Sequence, residues 1–284
     1  LNSRKSIKNG QKISAKGGGM KFVLMQIIVI VSVLALSACG GGGGSSAPNT
    51  DIERGTLTVV ALNSAALHAT RQVKIYTPPG YNSQTKYPVL YILHGLGSDI
   101  DQWMPELGMN TRADLLIKNK QIAPLIIVAP QMDNSYGAGG NEVFLCEELI
   151  SYIDSHYSTN PTRENRSIGG LSMGGFIALH NAFAHTDLFS KAGGHSAYLY
   201  TVAGLNNSIE NPIVTAQNKD LTMLKVYLDT GTSDQFNLTV CLSELFGILQ
   251  SKGVPSEYHP GPGGHTGLYW AANMDNYLKF YAGI

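Results

Sequence analysis

Apolar and polar positions alternate with two different periods along this 284-residue chain, and the switch between them sets out its elements. Residues 56–62 and 73–77 alternate or cluster β-branched side chains around a "PPGYNS" break, which predicts two antiparallel strands. The runs "YPVLYIL" and "APLIIVAP" are apolar at consecutive positions, as expected of parallel strands buried on both faces. Helical spacing follows each of them, over residues 101–120 and more strongly over 142–157. "NRSIGGL" then "MGGFIALHNAFAHT" reads as strand, turn and helix. "LKVYLD", "FNLTVCLSELFGILQSKG", "SEYHP" and a last helix from about Leu268 continue the alternation. Strand and helix in regular succession imply right-handed crossovers onto one mostly parallel sheet with helices on both faces.

The first fifty residues follow neither period. From Met20-Lys21 the chain runs "FVLMQIIVIVSVLALSAC" into "GGGGGSSAPNT": a basic start, a short apolar stretch and small residues, the signature of a secretory signal. Leu36-Ser37-Ala38-Cys39 resembles the lipobox of bacterial lipoproteins, which makes Cys39 the expected lipidated residue. The expected organisation is a leader and signal over 1–38, with 1–19 read as sequence upstream of a start at Met20. A lipidated cysteine and Gly/Ser tether then occupy 39–54, ahead of a catalytic domain over 55–284. The expected location is the bacterial cell envelope.

Composition narrows the partners. Arg4, Lys5, Lys8, Lys12, Lys16 and Lys21 all precede residue 39, so removing these six of 20 basic residues leaves 14 against 20 acids, a net charge of −6. That balance gives no phosphate-neutralising footprint, and a nucleic acid partner is not expected. The three cysteines, Cys39, Cys146 and Cys241, form no C-x-x-C and no zinc spacing, so neither metal nor cofactor is expected. Cys146 and Cys241 could equally pair or remain as buried thiols.

Candidate chemistry begins at "GLSMGG". A G-x-S-x-G arises by chance about 0.3 times in a chain this rich in glycine, so context decides. Here the serine stands between a predicted strand and a predicted helix, where flanking glycines let the backbone lift Ser172 clear of the sheet. The bland reading makes Ser172 a helix cap. A nucleophile in this sheet class needs an acid and then a histidine later in the chain. Asp234, in the loop "TGTSD", and Asp229, ending the strand before it, both qualify as the acid. His265, in "GPGGHTG", has the order and loop placement of a base, whereas His259 ends a strand. An oxyanion requires two N–H donors. Met173, after the serine, and Leu96, in "LHGLGSD", supply candidates.

Read in order, "YPVLYILHGLGSD", "PLIIVAP", "ELISYID", "GLSMGGFIAL", "DLFSKAGGHSA", "DTGTSD" and "GGHTGLYW" make residues 55–284 resemble the Putative esterase family of α/β-hydrolases. That family includes feruloyl and other carbohydrate esterases, S-formylglutathione hydrolases and antigen 85 mycolyltransferases. The resemblance implies an α/β-hydrolase fold and a catalytic triad of Ser172, Asp234 and His265, with Leu96 and Met173 as oxyanion donors. It implies a cofactor-free serine carboxylesterase acting on a small or carbohydrate-linked ester through an acyl-enzyme. Acyl transfer to an alcohol, and a non-catalytic binding role on the same fold, are the rival expectations. A lipobox argues against a cytosolic formylglutathione role. Acyl and alcohol specificity are expected in loops 131–141 and 198–222; oligomeric state is not legible.

Overall fold

The computed structural model describes residues 52–137, 139–199 and 220–282. Cys39, the signal and tether segments, and most of the 198–222 loop lie outside the described residues.

Eight strands form one sheet: β1 (Thr56–Ser64), β2 (Ala69–Thr77), β3 (Val89–Leu93), β4 (Ile126–Pro130), β5 (Arg166–Leu171), β6 (Lys191–His195), β7 (Lys225–Gly231) and β8 (Ser256–Gly261), in the order β1-β2-β4-β3-β5-β6-β7-β8. β1 and β2 form an antiparallel hairpin, and β2 joins β4 antiparallel. Every pairing from β4 through β3 to β8 is parallel.

All positions of β3, β4 and β5 are buried, because helices cover both faces of the sheet. The strand period sorts them. Tyr91, Leu93, Ile126, Val128 and Ile168 turn to one cluster, packed by the helical run over 141–156 (α2), by α3 (Met173–Ala184) and by α4 (Leu238–Ser251). Leu90, Ile92, Ile127, Ala129 and Leu171 turn to the other, packed by α1 (Met109–Lys118), α5 (Gly267–Ala272) and α6 (Met274–Ala282). Leu242, Leu245 and Leu249 repeat at helical spacing on α4 and are all fully buried, each contributing about 1.5–3 kcal/mol.

Four expectations change. The helix expected over 101–120 starts only at Met109. The run is broken at Met104, which precedes Pro105 and is extended at φ −141°, ψ 107°. The last helix is two helices broken at Asn273. The helix expected from Phe236 starts at Leu238, which leaves Phe236 in a turn. β6, "KAGGH", carries no strand pattern in the sequence and is nonetheless a central strand. Cys146 and Cys241 are both buried and are not joined in a disulfide.

Candidate active site

The parallel strands end at one rim, where such sheets gather their ligands, and the loops that leave β3, β5, β7 and β8 meet there. Ser172 follows β5 directly and has φ 54°, ψ −118°, a region costly for any residue with a Cβ. Its neighbours hold it there. Its N–H donates to the His195 carbonyl at 2.9 Å, and its own carbonyl accepts from Phe176 at 3.1 Å and Tyr198 at 3.0 Å. A Cβ on Gly170 would overlap the main chain of Gly174, and one on Gly174 would overlap the carbonyls of Leu93 and His94. The two motif glycines therefore serve close approach of strand, helix and the loop after β3. Ser172 occupies the N-cap position of α3 but makes no side-chain capping bond, so its hydroxyl is not spent on the helix, contrary to the cap reading.

Asp234 and His265 come together from the loops after β7 and β8. Two main-chain bonds tie those loops, Thr232 N–H to the Gly261 carbonyl at 2.7 Å and Ser233 N–H to the Gly263 carbonyl at 2.8 Å. His265 Nδ1 donates to Asp234 Oδ2 at 2.9 Å, with the carboxylate side chain fully buried and the imidazole 9% exposed. The other carboxylate oxygen accepts from the Phe236 N–H at 2.9 Å. Phe236 and Trp270 meet the imidazole edge-on at 4.9 and 5.0 Å between ring centres, which fixes its plane. The rivals are elsewhere. Asp229 accepts from His195 Nδ1 at 2.7 Å and from the Tyr277 hydroxyl at 2.6 Å. His259 pairs with Glu257 and stacks on Tyr227 beside a different hollow.

Ser172 and His265 line one cavity of about 510 Å³, together with Leu96. Among the three consecutive N–H groups of the loop after β3, that of Gly95 donates to Gln102 Oε1 at 2.7 Å and that of Gly97 to Asn134 Oδ1 at 3.0 Å. The Leu96 N–H between them belongs to a peptide whose carbonyl, that of Gly95, meets His94 Nδ1 at 2.8 Å and the Ser98 N–H at 3.2 Å. A trans peptide points its N–H opposite to its C=O, so these bonds set the aim of the Leu96 N–H. Main-chain Met132 N–H donates to His94 Nε2 at 2.9 Å, which makes His94 a neutral ring with its proton on Nδ1. Burial lowers its pKa. Met173 is the first residue of α3, where N–H groups have no partner inside the helix and the dipole favours negative charge.

A profile of the family described as Putative esterase matches residues 64–281. The chain belongs to the Putative esterase family. Among relatives, an endo-1,4-beta-xylanase/feruloyl esterase of Xylanibacter ruminicola is 32% identical over 139 residues, covering 44% of this chain and 19% of that protein. Esterase Rv1288 of Mycobacterium tuberculosis is 27% identical over 249 residues, covering 68% of this chain and 52% of that one. The chain thus spans about half or less of these relatives. Among solved structures, a ferulic acid esterase superposes with a TM-score of 0.73 at 26% identity over 81% of this chain and 98% of its own. The fold is that of the α/β-hydrolase esterases.

For this Putative esterase member, sequence reasoning missed His94, Gln102 and Asn134, whose task of holding a loop is fixed only by tertiary contacts. It also missed the aromatic wall of Tyr136, Tyr198, Phe236 and Trp270 around the cavity. Tyr136, on a left-handed backbone at φ 55°, comes from a loop fastened by Asp133, which accepts from both Ser135 and Asn141 and pairs with Arg71 at 3.4 Å. Burial and the nearby Tyr198 phenol push the Tyr136 pKa up. Among the described residues no group of three or more His, Cys, Asp and Glu is placed to hold a metal ion, and no helix is long and apolar enough to cross a membrane.

Proposed function

We propose that this protein is a serine carboxylesterase that works through an acyl-enzyme, with Ser172 as nucleophile, His265 as base, Asp234 as its orienting acid, and the N–H groups of Leu96 and Met173 as the oxyanion site. The observation that carries the reading is the Asp234–His265 pair opening onto the same cavity as a serine held at positive φ. With Nδ1 committed to Asp234, His265 has Nε2 left to take the Ser172 proton as Oγ attacks the ester carbonyl. The tetrahedral oxyanion then lies between two peptide donors, each worth about 2.7–4 kcal/mol in the transition state. His265 returns the proton to the leaving alcohol, and water resolves the acyl-enzyme by the reverse path.

The walls favour an aromatic acyl group. Tyr136, Tyr198, Phe236 and Trp270 line a cavity large enough for a hydroxycinnamoyl unit, and the similarity to feruloyl and ferulic acid esterases supports a feruloyl-type, carbohydrate-linked ester as the substrate class. The lipobox at Cys39 supports a membrane-anchored lipoprotein of the cell envelope.

Labelling with a fluorophosphonate followed by peptide mapping tests the assignment. The label is expected on Ser172, and Ser172→Ala should neither label nor turn over p-nitrophenyl acetate. Modification at another serine, or full turnover by Ser172→Ala, overturns it. Comparing methyl ferulate with p-nitrophenyl acetate tests the acyl class.

A further inference from the structure

Below the candidate site lies a second Asp–His pair that the proposed chemistry does not use. His195 ends β6 with no exposed surface, and Asp229, its partner in register on the neighbouring β7, is 1% exposed; β7 runs two residues past it, to Gly231. His195 Nδ1 donates to Asp229 Oδ1 at 2.7 Å, and the Tyr281 hydroxyl meets His195 Nε2 at 2.8 Å. Tyr277 donates to Asp229 Oδ2 at 2.6 Å, and its ring lies 3.8 Å from the imidazole centre. Room for Tyr281 is made by two glycines paired across β5 and β6. A Cβ on Gly169 or Gly193 would overlap its hydroxyl.

A buried ionisable pair adds little stability over an apolar replacement, so stability alone is a weak reason for it. Its connections give a better one. The main-chain carbonyl of His195 accepts the Ser172 N–H, and the Tyr198 N–H donates to the Ser172 carbonyl, so residues 195–198 grip both sides of the strained serine. Ser196, at φ 45°, donates its N–H to the Asp229 carbonyl at 2.8 Å and accepts at Oγ from Trp270 Nε1 at 3.2 Å. Trp270 is one of the two rings that fix His265. Trp103 packs edge-on against His195 at 5.7 Å and donates from Nε1 to the Leu93 carbonyl at 2.9 Å, at the root of the Leu96 loop. One hydrogen bond thus joins this pair to Ser172, two contacts through Trp103 lead to the root of the Leu96 loop, and three through Ser196 and Trp270 lead to His265.

We infer that the buried His195–Asp229 pair, closed by Tyr277 and Tyr281, is a positioning unit that holds Ser172 and His265 in register through residues 195–198, and transfers no proton in the reaction. The inference rests on the assignment of Ser172 as nucleophile. Tyr281→Phe removes one hydroxyl from the pair and keeps the ring; Tyr277→Phe does the same on the Asp229 side.

Both variants, assayed well below their melting temperatures, are expected to lower kcat for p-nitrophenyl acetate and the rate of fluorophosphonate labelling together by roughly ten-fold or more, because small misplacements of reacting groups are costly. KM should stay within about two-fold and the midpoint of the kcat–pH profile should not move, since neither tyrosine lines the cavity and the Asp234–His265 bond keeps both its partners. Folded variants with lowered melting temperature and unchanged kcat would mean a purely structural pair and overturn the inference. A shifted pH midpoint would give the pair a proton role and overturn it too. Should one variant fail to fold, the other decides. Failure of the nucleophile assignment is read separately, as turnover by Ser172→Ala.

Discussion

At the scale of single residues, the two late histidines separate by environment. His265 has its Nδ1 on a buried carboxylate and lines the cavity, while His259 is exposed, pairs with Glu257 and stacks on Tyr227. His265→Ala is therefore expected to lower kcat by roughly 10⁴-fold, and His259→Ala to leave it unchanged, in a p-nitrophenyl acetate assay. Equal losses in the two would break the assignment. Gly174→Ala is a second test at this scale. The new methyl would gain up to about 1 kcal/mol of helix propensity, but it meets the main-chain carbonyls of Leu93 and His94, which cannot swing aside like a side-chain end. Overlap wins, with an expected net cost of about 1–3 kcal/mol by urea denaturation and a fall in kcat, since the displaced groups lead into the Leu96 loop. Ser172, Asp234 and His265 were legible because their order and loop placement are properties of the chain. His94 was not: a histidine before a glycine says nothing of its tautomer, which the Met132 N–H sets from 38 residues away.

At the scale of elements, legibility followed whether an element declares itself through apolar side chains. β3 and β4 did so at every position. β6 did not, because its Gly193 and Gly194 are dictated by what packs on them, Tyr281 on one face and Leu179 on the other, and an absent side chain leaves no period. The loop after β3 is tied to a ring, His94, whose Nε2 can accept the Met132 N–H only while it carries no proton. His94 is 2% exposed, and burial lowers its pKa against the opposing effects of the Gly95 carbonyl and Asp99. Unfolded, the ring titrates near its ordinary value of 6.5; folded, it resists the proton. As pH falls through that value the unfolded chain binds more protons than the native one, so stability must decline with acid. Melting temperatures are expected to fall between about pH 7 and about pH 5.5, above the main carboxylate range, and His94→Asn, which can keep a donor near Nδ1, should flatten the decline. An unaltered slope in that variant would assign the acid sensitivity to another group.

At the scale of the whole molecule, every group assigned to the chemistry lies between His94 and Trp270, within the compact unit of residues 50–284, whereas the proposed anchor rests on Cys39. Attachment and catalysis should therefore come apart cleanly. An acyl chain supplies about 0.8 kcal/mol per buried CH₂, enough for several chains together to hold a protein at a bilayer, and no helix among the described residues could span one instead. In a bacterial host that processes lipoproteins, Cys39→Ser should move the protein from the membrane to the soluble fraction and abolish incorporation of labelled palmitate. The kcat and KM for p-nitrophenyl acetate should stay unchanged after detergent extraction of both forms. Retention of the variant in the membrane fraction would defeat the anchor while leaving the triad assignment intact. Loss of turnover in the soluble variant would defeat the separation itself, because it would make the segment before residue 50 part of the working site.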